Sequence, residues 1–324
     1  MKAITFSEYG PPGVLRLAEV PKPVPQSNEV LIKVRAASVN AADWRMMRAS
    51  PFLVRFYSGL FRPKRITSPG ADVAGVVDAV GTEVTRFKLG DEVFGEVFAS
   101  NFGGFSEYKC AFENELELKP ANASFEEAAA LPMAGMTALQ ALRDVGQIQP
   151  GQQVLINGAS GGVGSFALQL AKHFGAEVTA VCSTKKMEQA RALGADHVVD
   201  YTREDFTRSG TLYDLIVVAN GYHPLADYRR ALTPQGSFVL IGGKGTGGEL
   251  FKVMLLGPLL SMGGRRITVV SAKPNLNDLR LLKELVEAGK LKPVIDRRFP
   301  LAQAAEAIRY VEQGHARGKV IVEV

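Results

Sequence analysis

Cysteine and histidine are scarce in this chain of 324 residues, which has two of the former, Cys110 and Cys182, and four of the latter, His173, His197, His223 and His315. Two cysteines 72 positions apart build neither a disulfide framework nor a four-cysteine zinc site, and a reducing compartment is the default reading. No membrane span is expected: the apolar stretch Val253 to Gly264 is too short and too rich in Gly and Pro to cross a bilayer. The first residues lack the apolar core of a signal peptide, so the expected location is cytoplasmic. Nor is there a block of one charge. Basic residues exceed acidic ones by 38 to 33, and the pairs Lys64-Arg65, Arg229-Arg230, Arg265-Arg266 and Arg297-Arg298 are dispersed. Such mild basicity suits an anionic small molecule and argues against nucleic acid as the main partner. Repeats, low-complexity tracts and a disordered linker are absent too.

What is present is a length and a hydrophobic content of 46% that fit two domains, and one stretch that reads as strand, glycine turn and helix. Val154 to Ile156 is a buried parallel strand, Gly158 to Gly164 is glycine-rich, and the helix that follows carries Phe166, Leu170 and Phe174 at i, i+4, i+8. A second strand, Glu177 to Cys182, comes next. In that context the glycines let the backbone approach a pyrophosphate, which the amides of Ser160, Gly161, Gly162 and Val163 and the helix dipole then hold. An NAD site usually places Asp or Glu about 20 residues beyond the glycines, on the ribose 2′-hydroxyl. Here the strand ends in Ser183-Thr184-Lys185-Lys186, two hydroxyls and two ammonium groups suited to a 2′-phosphate, so the expected cofactor is NADP(H). Asn220, ending the fourth strand, and Gly243, ending the fifth, are added as carboxyl-end positions where such sheets bind ligands.

Along the chain, the first 120 residues or so read as short strands (Val30 to Val34, Gly75 to Val80, Glu92 to Val97). Ser124 followed by Glu127 is a capping box that starts a helix, after which strands and helices alternate through Ser237 to Ile241, the pattern of a doubly wound parallel sheet. Helices at Asp278 to Ala288 and Leu301 to Gln313 and a strand at Lys319 to Val324 close the chain, and these rejoin the N-terminal β unit. The segment Phe52 to Arg65 mixes aromatic and basic residues and reads as a lid or as an amphipathic helix on a rim.

With these residues in view, the chain resembles the medium-chain dehydrogenase/reductase superfamily, most closely its zinc-free quinone oxidoreductase-like and enone reductase-like branch. The resemblance rests on Gly70-Ala71-Asp72-Val73-Ala74-Gly75, Phe87-Lys88-Leu89-Gly90-Asp91-Glu92-Val93, Leu131-Pro132-Met133-Ala134-Gly135-Met136-Thr137-Ala138 and Arg317-Gly318-Lys319-Val320. It implies an α/β chain with a GroES-like β-rich catalytic domain built from both termini (1–123 and 266–324) and a Rossmann NADP-binding domain at 124–265. It also implies a homodimer and NADPH-dependent reduction of quinones or α,β-unsaturated carbonyls. Zinc members carry a cysteine where this chain has Asn40 and a His-Glu pair where it has Ala71-Asp72, so no metal is expected. By the same resemblance Asn40 lies near the nicotinamide and offers its amide to the substrate carbonyl or to the cofactor ribose, and Asp43, which also matches a family position, is assigned a structural or orienting role. Arg45 stands where many relatives have tyrosine and is a candidate to recruit a polar substrate, Thr137 touches the nicotinamide side, and Ser183, Lys186 and Tyr201 grip the 2′-phosphate. Two other readings remain open: an alcohol or aldehyde dehydrogenase-like enzyme, and an NADPH-binding sensor with little turnover.

Overall fold

The computed structural model describes every residue except Tyr222 and positions 243–252, 254, 256, 258–260 and 262. The chain begins with an antiparallel pair, β1 (Lys2–Thr5) and β2 (Arg16–Glu19). The long strand β3 (Glu29–Val39) follows, then α1 (Ala41–Arg48), α2 (Val54–Ser58), β4 (Asp72–Val80), β5 (Glu92–Glu96), β6 (Tyr108–Phe112) and β7 (Leu116–Leu118). The strands β3, β4, β5 and β7 are antiparallel neighbours in that order. Strand β3 serves two partners on its other side, with Glu29 to Lys33 bonded to β6 and Ala36 to Val39 to a strand from the far end of the chain. Helix α3 (Phe125–Ala130) starts as expected at Ser124, whose hydroxyl accepts from the Glu127 amide at 3.2 Å while its own amide donates to the Glu127 carboxylate at 2.9 Å.

Helix α4 (Pro132–Gln140) leads into strand-helix alternation: β8 (Gln153–Asn157), α5 (Gly162–His173), β9 (Glu177–Cys182), α6 (Met187–Ala192), β10 (His197–Asp200), β11 (Tyr213–Val218), α7 (Leu225–Arg230), β12 (Leu232–Leu240) and β13 (Arg266–Val269). Among the described residues these six strands are all parallel, in the order β10-β9-β8-β11-β12-β13, with the first strand of the unit, β8, in the middle. That order reverses direction between β8 and β11, and ligands of such sheets bind outside the carboxyl ends at that point. On α5, Phe166 and Leu170 are fully buried, as the spacing requires, and Phe174 sits just past the helix end. Leu155, Ile216, Tyr228 and Phe238 belong to the core of this unit.

The closing elements are α8 (Leu276–Glu287), β14 (Ile295–Pro300), α9 (Ala304–Glu312) and β15 (Lys319–Glu323). Strand β15 pairs in parallel with β14 and antiparallel with β3, so the two ends of the chain share one sheet. One of its cores joins Ile4, Phe6, Val39 and Met47 to Leu301, Ile308, Val320 and Val322.

The compact units are 1–134, 274–289 and 293–324 on one side of the division, and 135–273 with 290–292 on the other. The boundaries expected at 123/124 and 265/266 therefore move. Helix α3 packs on β3 and β4, which carries the first unit past 123. Arg266 to Val269 is the sixth strand of the parallel sheet and belongs with β12.

Candidate functional site

In the parallel-sheet unit, the turn between β8 and α5 is tied down from both sides. The amides of Gly158 and Ala159 donate to the Val181 carbonyl at 3.1 and 3.2 Å, and the Asn157 carbonyl accepts from Ala219 and Asn220 at 3.0 and 3.2 Å. Gly158 has φ +83°, and a Cβ there would lie 2.6 Å from the Asn220 carbonyl oxygen; a Cβ on Gly164 would lie 2.1 Å from that of Gly158. Both positions demand glycine on these grounds. A Cβ on Gly161 has only the Gly158 oxygen near it, at 3.6 Å, so this side of the turn is open. Gly161 caps α5 with no side-chain acceptor, and the first turn holds no acid. Helix amides left in this way, at the positive end of the dipole, suit a pyrophosphate. Ser160, Gly161, Gly162 and Val163 thus lie together at the turn, and the backbone of Asn220 beside it.

At the end of β9, Ser183 and Lys186 are half-buried and the Lys186 amide donates to the Ser183 carbonyl at 2.8 Å. The Tyr201 amide donates to the Cys182 carbonyl at 3.1 Å, which brings this exposed tyrosine to the same strand end. An acid is present after all, on the neighbouring strand: Asp200 pairs in register with Cys182. Its carboxylate accepts from the Thr184 hydroxyl, from the Thr202 amide at 3.0 Å and from the Thr202 hydroxyl at 2.7 Å. The bond from Thr184 foremost, then those from Thr202, hold its pKa below the ordinary carboxylate range. This acid is committed to its threonines. Ser183, Lys186 and Tyr201 fit a 2′-phosphate. Thr137 is half-buried on α4 and is not among the residues that these bonds join. Gly243 lies outside the described residues.

The split unit contains a second polar assembly. Register places Ser38 opposite Asp72 on β3 and β4, Asp72 opposite Glu96 on β4 and β5, and Val39 opposite Val320 on β3 and β15, so four strand ends meet. Asp72 Oδ2 accepts from Ser38 Oγ and from Asn40 Nδ2, each at 2.8 Å, and lies 3.5 Å from Lys319 Nζ. Asp72 Oδ1 accepts from the Met133 amide at 3.1 Å. Lys319 Nζ donates to Asn40 Oδ1. The second hydrogen of the Asn40 amide goes to the Ser38 carbonyl at 3.3 Å. Asn40 therefore has both amide hydrogens engaged within the protein, and as it stands it positions Asp72 and Lys319 and does not offer a donor outward. Asp43, on the first turn of α1, accepts from the amides of Asn40 and Gly70, both at 2.7 Å. These bonds tie the start of α1 to the turn at Gly70.

All these groups are buried, and burial shifts the titration of Asp43, Glu96 and Lys319. It pushes Asp43 up to about 7 against the pull of its two backbone bonds, and Glu96 up to about 8 with the facing Asp72 adding to the effect. It draws Lys319 down, opposed chiefly by Asp72. A zinc ion does not fit here: the Nζ of Lys319 already sits against Asn40 and Asp72, and a cation there repels a second one. Arg45 is half-buried farther along α1, its guanidinium 5.3 Å from the Trp44 ring centre; burial lowers its pKa, and none of the bonds above reaches it.

Sequence reasoning passed over Ser38, Glu96 and the partnership of Lys319 with Asp72. A signal existed. Asp72 and Lys319 each stand directly before an uncharged run, Val73 to Val77 and Val320 to Val322, and a charge buried at such a position needs a partner.

Comparison with known proteins gives a consistent outcome. Residues 26–141 match the family described as alcohol dehydrogenase GroES-like domain, and residues 193–322 that described as zinc-binding dehydrogenase. The chain is 36% identical to a chloroplast envelope quinone oxidoreductase homolog of Arabidopsis thaliana, covering 100% of this chain and 98% of the relative. It is 36% identical to the NADPH-dependent alkenal/one oxidoreductase, chloroplastic, of the same plant, over 99% of this chain and 79% of the relative. Among solved structures, the quinone oxidoreductase from Coxiella burnetii superposes with a TM-score of 0.87 at 34% identity, covering 100% of this chain and 99% of the other.

Proposed function

The chain belongs to the quinone and enone oxidoreductase-like branch of the medium-chain dehydrogenase/reductase superfamily, and from that membership we propose that it reduces quinones or α,β-unsaturated carbonyls. It is an oxidoreductase whose cofactor is NADP(H). The observation that carries the cofactor is the end of β9, where Ser183, Lys186 and Tyr201 gather around a strand end whose nearby acid, Asp200, is held by Thr184 and Thr202.

NADPH, when bound, supplies the hydride that such a reduction needs. The rest is binding and positioning. The first amides of α5 would hold the pyrophosphate, and Ser183, Lys186 and Tyr201 the 2′-phosphate. In the split unit, Lys319 and Asn40 keep the Asp72 carboxylate paired, while Asp43 fixes the start of α1 and thereby the placement of Arg45 two residues on. Asn40 acts through this network, and the proton that completes the reduction comes from water. A second reading, NADPH binding with little turnover, is favoured by one observation: the amide of Asn40 is engaged inside the protein.

The test is oxidation of NADPH, followed by loss of its nicotinamide absorbance, against quinones, enones and alkenals, with a chelator present and NADH in parallel. Turnover that prefers NADPH and survives the chelator supports the reductase. Tight NADPH binding without substrate-dependent oxidation supports the second reading. We further propose a cytoplasmic homodimer, on the expectation carried by the family resemblance; a monomer mass in light scattering at working concentration removes the dimer.

A further inference from the structure

The segment from Phe52 to Arg65, between α1 and β4, has no part in either site, yet it holds the densest run of exposed apolar side chains among the described residues. Phe52, Leu53, Phe56, Leu60 and Phe61 are all exposed, Phe56 at 71% and Phe61 at 87%. Their arrangement is fixed from beneath. Tyr57 packs on the core with its ring stacked on Phe98, Ser58 is buried, and the hydroxyl of Tyr9 donates to the Gly59 carbonyl at 2.7 Å. Arg55 lies between the rings of Tyr9 and Phe52, at 4.8 and 5.4 Å from their centres. With the inward face occupied by Tyr57 and Ser58, the phenylalanines project outward.

Charge is one-sided here. From Trp44 to Ala71 the chain has six arginines and lysines (Arg45, Arg48, Arg55, Arg62, Lys64 and Arg65) and no acid. Arg48 is paired with Glu312, but Arg62, Lys64 and Arg65 are exposed. Directly after Phe61 the surface opens into a cavity of about 410 Å³ whose wall includes Arg16 and Arg62 and the hydroxyl-bearing Thr5, Ser7 and Thr67. The nearest acids along the chain to that wall are Glu8 and Glu19. Two guanidinium groups among hydroxyls recognise a phosphate ester, and bulky apolar side chains beside them need a nonpolar medium. A bilayer with anionic phospholipid supplies both within one headgroup depth.

We propose that this face docks on the surface of an anionic lipid bilayer, with Phe52, Leu53, Phe56, Leu60 and Phe61 entering the headgroup boundary and a lipid phosphate seated between Arg16 and Arg62. This contact lies on the membrane and does not span it; among the described residues no helix is long and apolar enough to cross. Its consequence for catalysis, access to quinones dissolved in the bilayer, rests on the reductase reading above.

The experiment uses the full chain with vesicles of phosphatidylcholine alone or mixed with phosphatidylglycerol. Sedimentation with the mixed vesicles, little with the neutral ones, and loss of binding as salt is raised are expected. The double variant Phe56→Ser/Phe61→Ser lowers the partition coefficient by at least about tenfold, and Arg62→Glu lowers it on mixed vesicles only. Because these side chains are exposed, the thermal midpoints stay at the wild-type value, which separates lost docking from lost folding. Equal sedimentation of wild type and double variant, or none at all, overturns the proposal. So does a double variant that changes only the oligomeric mass, which identifies a second copy as the occupant, or binding of inorganic phosphate at this cavity with no vesicle affinity. Turnover of a water-soluble quinone is measured alongside. Its absence in wild type defeats the reductase reading while leaving vesicle binding to decide the docking face.

Discussion

The parallel-sheet unit assembles its polar site from consecutive residues, a glycine turn between β8 and α5 with neighbouring strand ends beside it, whereas the split unit gathers Ser38, Asn40, Asp72, Glu96 and Lys319 from positions up to 281 apart. The first leaves hydrogen-bond donors open at a helix start, and the second closes nearly all of its donors and acceptors on one another. The difference follows from burial. A site that receives a charged ligand keeps its polar groups available, while polar groups locked in a core must satisfy each other or be costly. One region is therefore suited to bind and the other to hold its own geometry, and variants should separate the two properties.

The largest effect is expected from Lys319→Met, which takes the cation from a fully buried ion pair and leaves Asp72 without it. Breaking such a pair costs about 3–5 kcal/mol, read as a lower urea midpoint. NADPH affinity, measured on the folded fraction, stays within about twofold if the comparison holds, well under the 1.4 kcal/mol of a tenfold change. Adding Asp72→Asn removes the stranded carboxylate and recovers part of the loss. A double variant no more stable than the single one would remove the pair from the account.

The next effect is one of pH. Glu96 and Asp43 titrate in the fold at about 8 and about 7, above their ordinary values of 4.5 and 3.8. The folded state then binds more protons at these two groups than the unfolded one does, so the stability they contribute is fully present below their ordinary carboxyl values and declines as pH rises through about 7 to 8. Glu96→Gln removes one of the two contributions. The stability difference between about pH 6 and about pH 9 should shrink by on the order of 2 kcal/mol, with the variant gaining on wild type at the alkaline end. An unchanged slope would mean that Glu96 does not titrate in this range.

In the other region, Lys186→Ala should raise the KM for NADPH about tenfold, the worth of one hydrogen bond to a charged group, and leave the KM for NADH nearly unchanged. Equal increases for both cofactors would take Lys186 away from the 2′-phosphate.

The contrast between the regions also explains what was legible in the sequence. Strand Glu177–Cys182, strand His197–Asp200 and the start of α3 at Ser124 could be read because each is set by local pattern: a short apolar run, turn residues, a capping pair. The glycine turn was readable for the same reason, since its constraint spans a few residues. Arg266 to Val269 was assigned to the wrong unit because a four-residue strand after a glycine pair carries no mark of its sheet. Asn40 was visible as a polar residue after a strand, but its partners depend on the pairing of β3 with β4 and β15, which no local pattern encodes. Glu96 was an unremarkable single charge until register set it opposite Asp72, and Lys319 signalled the need for a partner without saying which.

Asp200 tests the comparison at its finest, because among the described residues it is a buried, self-satisfied acid within the region suited to binding. Its three donors come from Thr184 and Thr202, neighbours in sequence of Ser183, Lys186 and Tyr201, so the carboxylate ties together the strand ends that carry those three. Asp200→Asn keeps one acceptor oxygen and replaces the other by a donor, and the Thr184 hydroxyl can rotate to accept from it. The loss should be small, seen as about a two- to fivefold fall in the preference for NADPH over NADH with the KM for NADH unchanged. The native carboxyl titrates below its ordinary value of 3.8, so it is ionised throughout the neutral range and the shift should be flat there; what the clamp adds to stability is lost only as pH falls through that low value. A variant that weakens both cofactors equally would show that the threonine clamp supports the strand ends in general, and the phosphate preference would then rest on Lys186, Ser183 and Tyr201 alone.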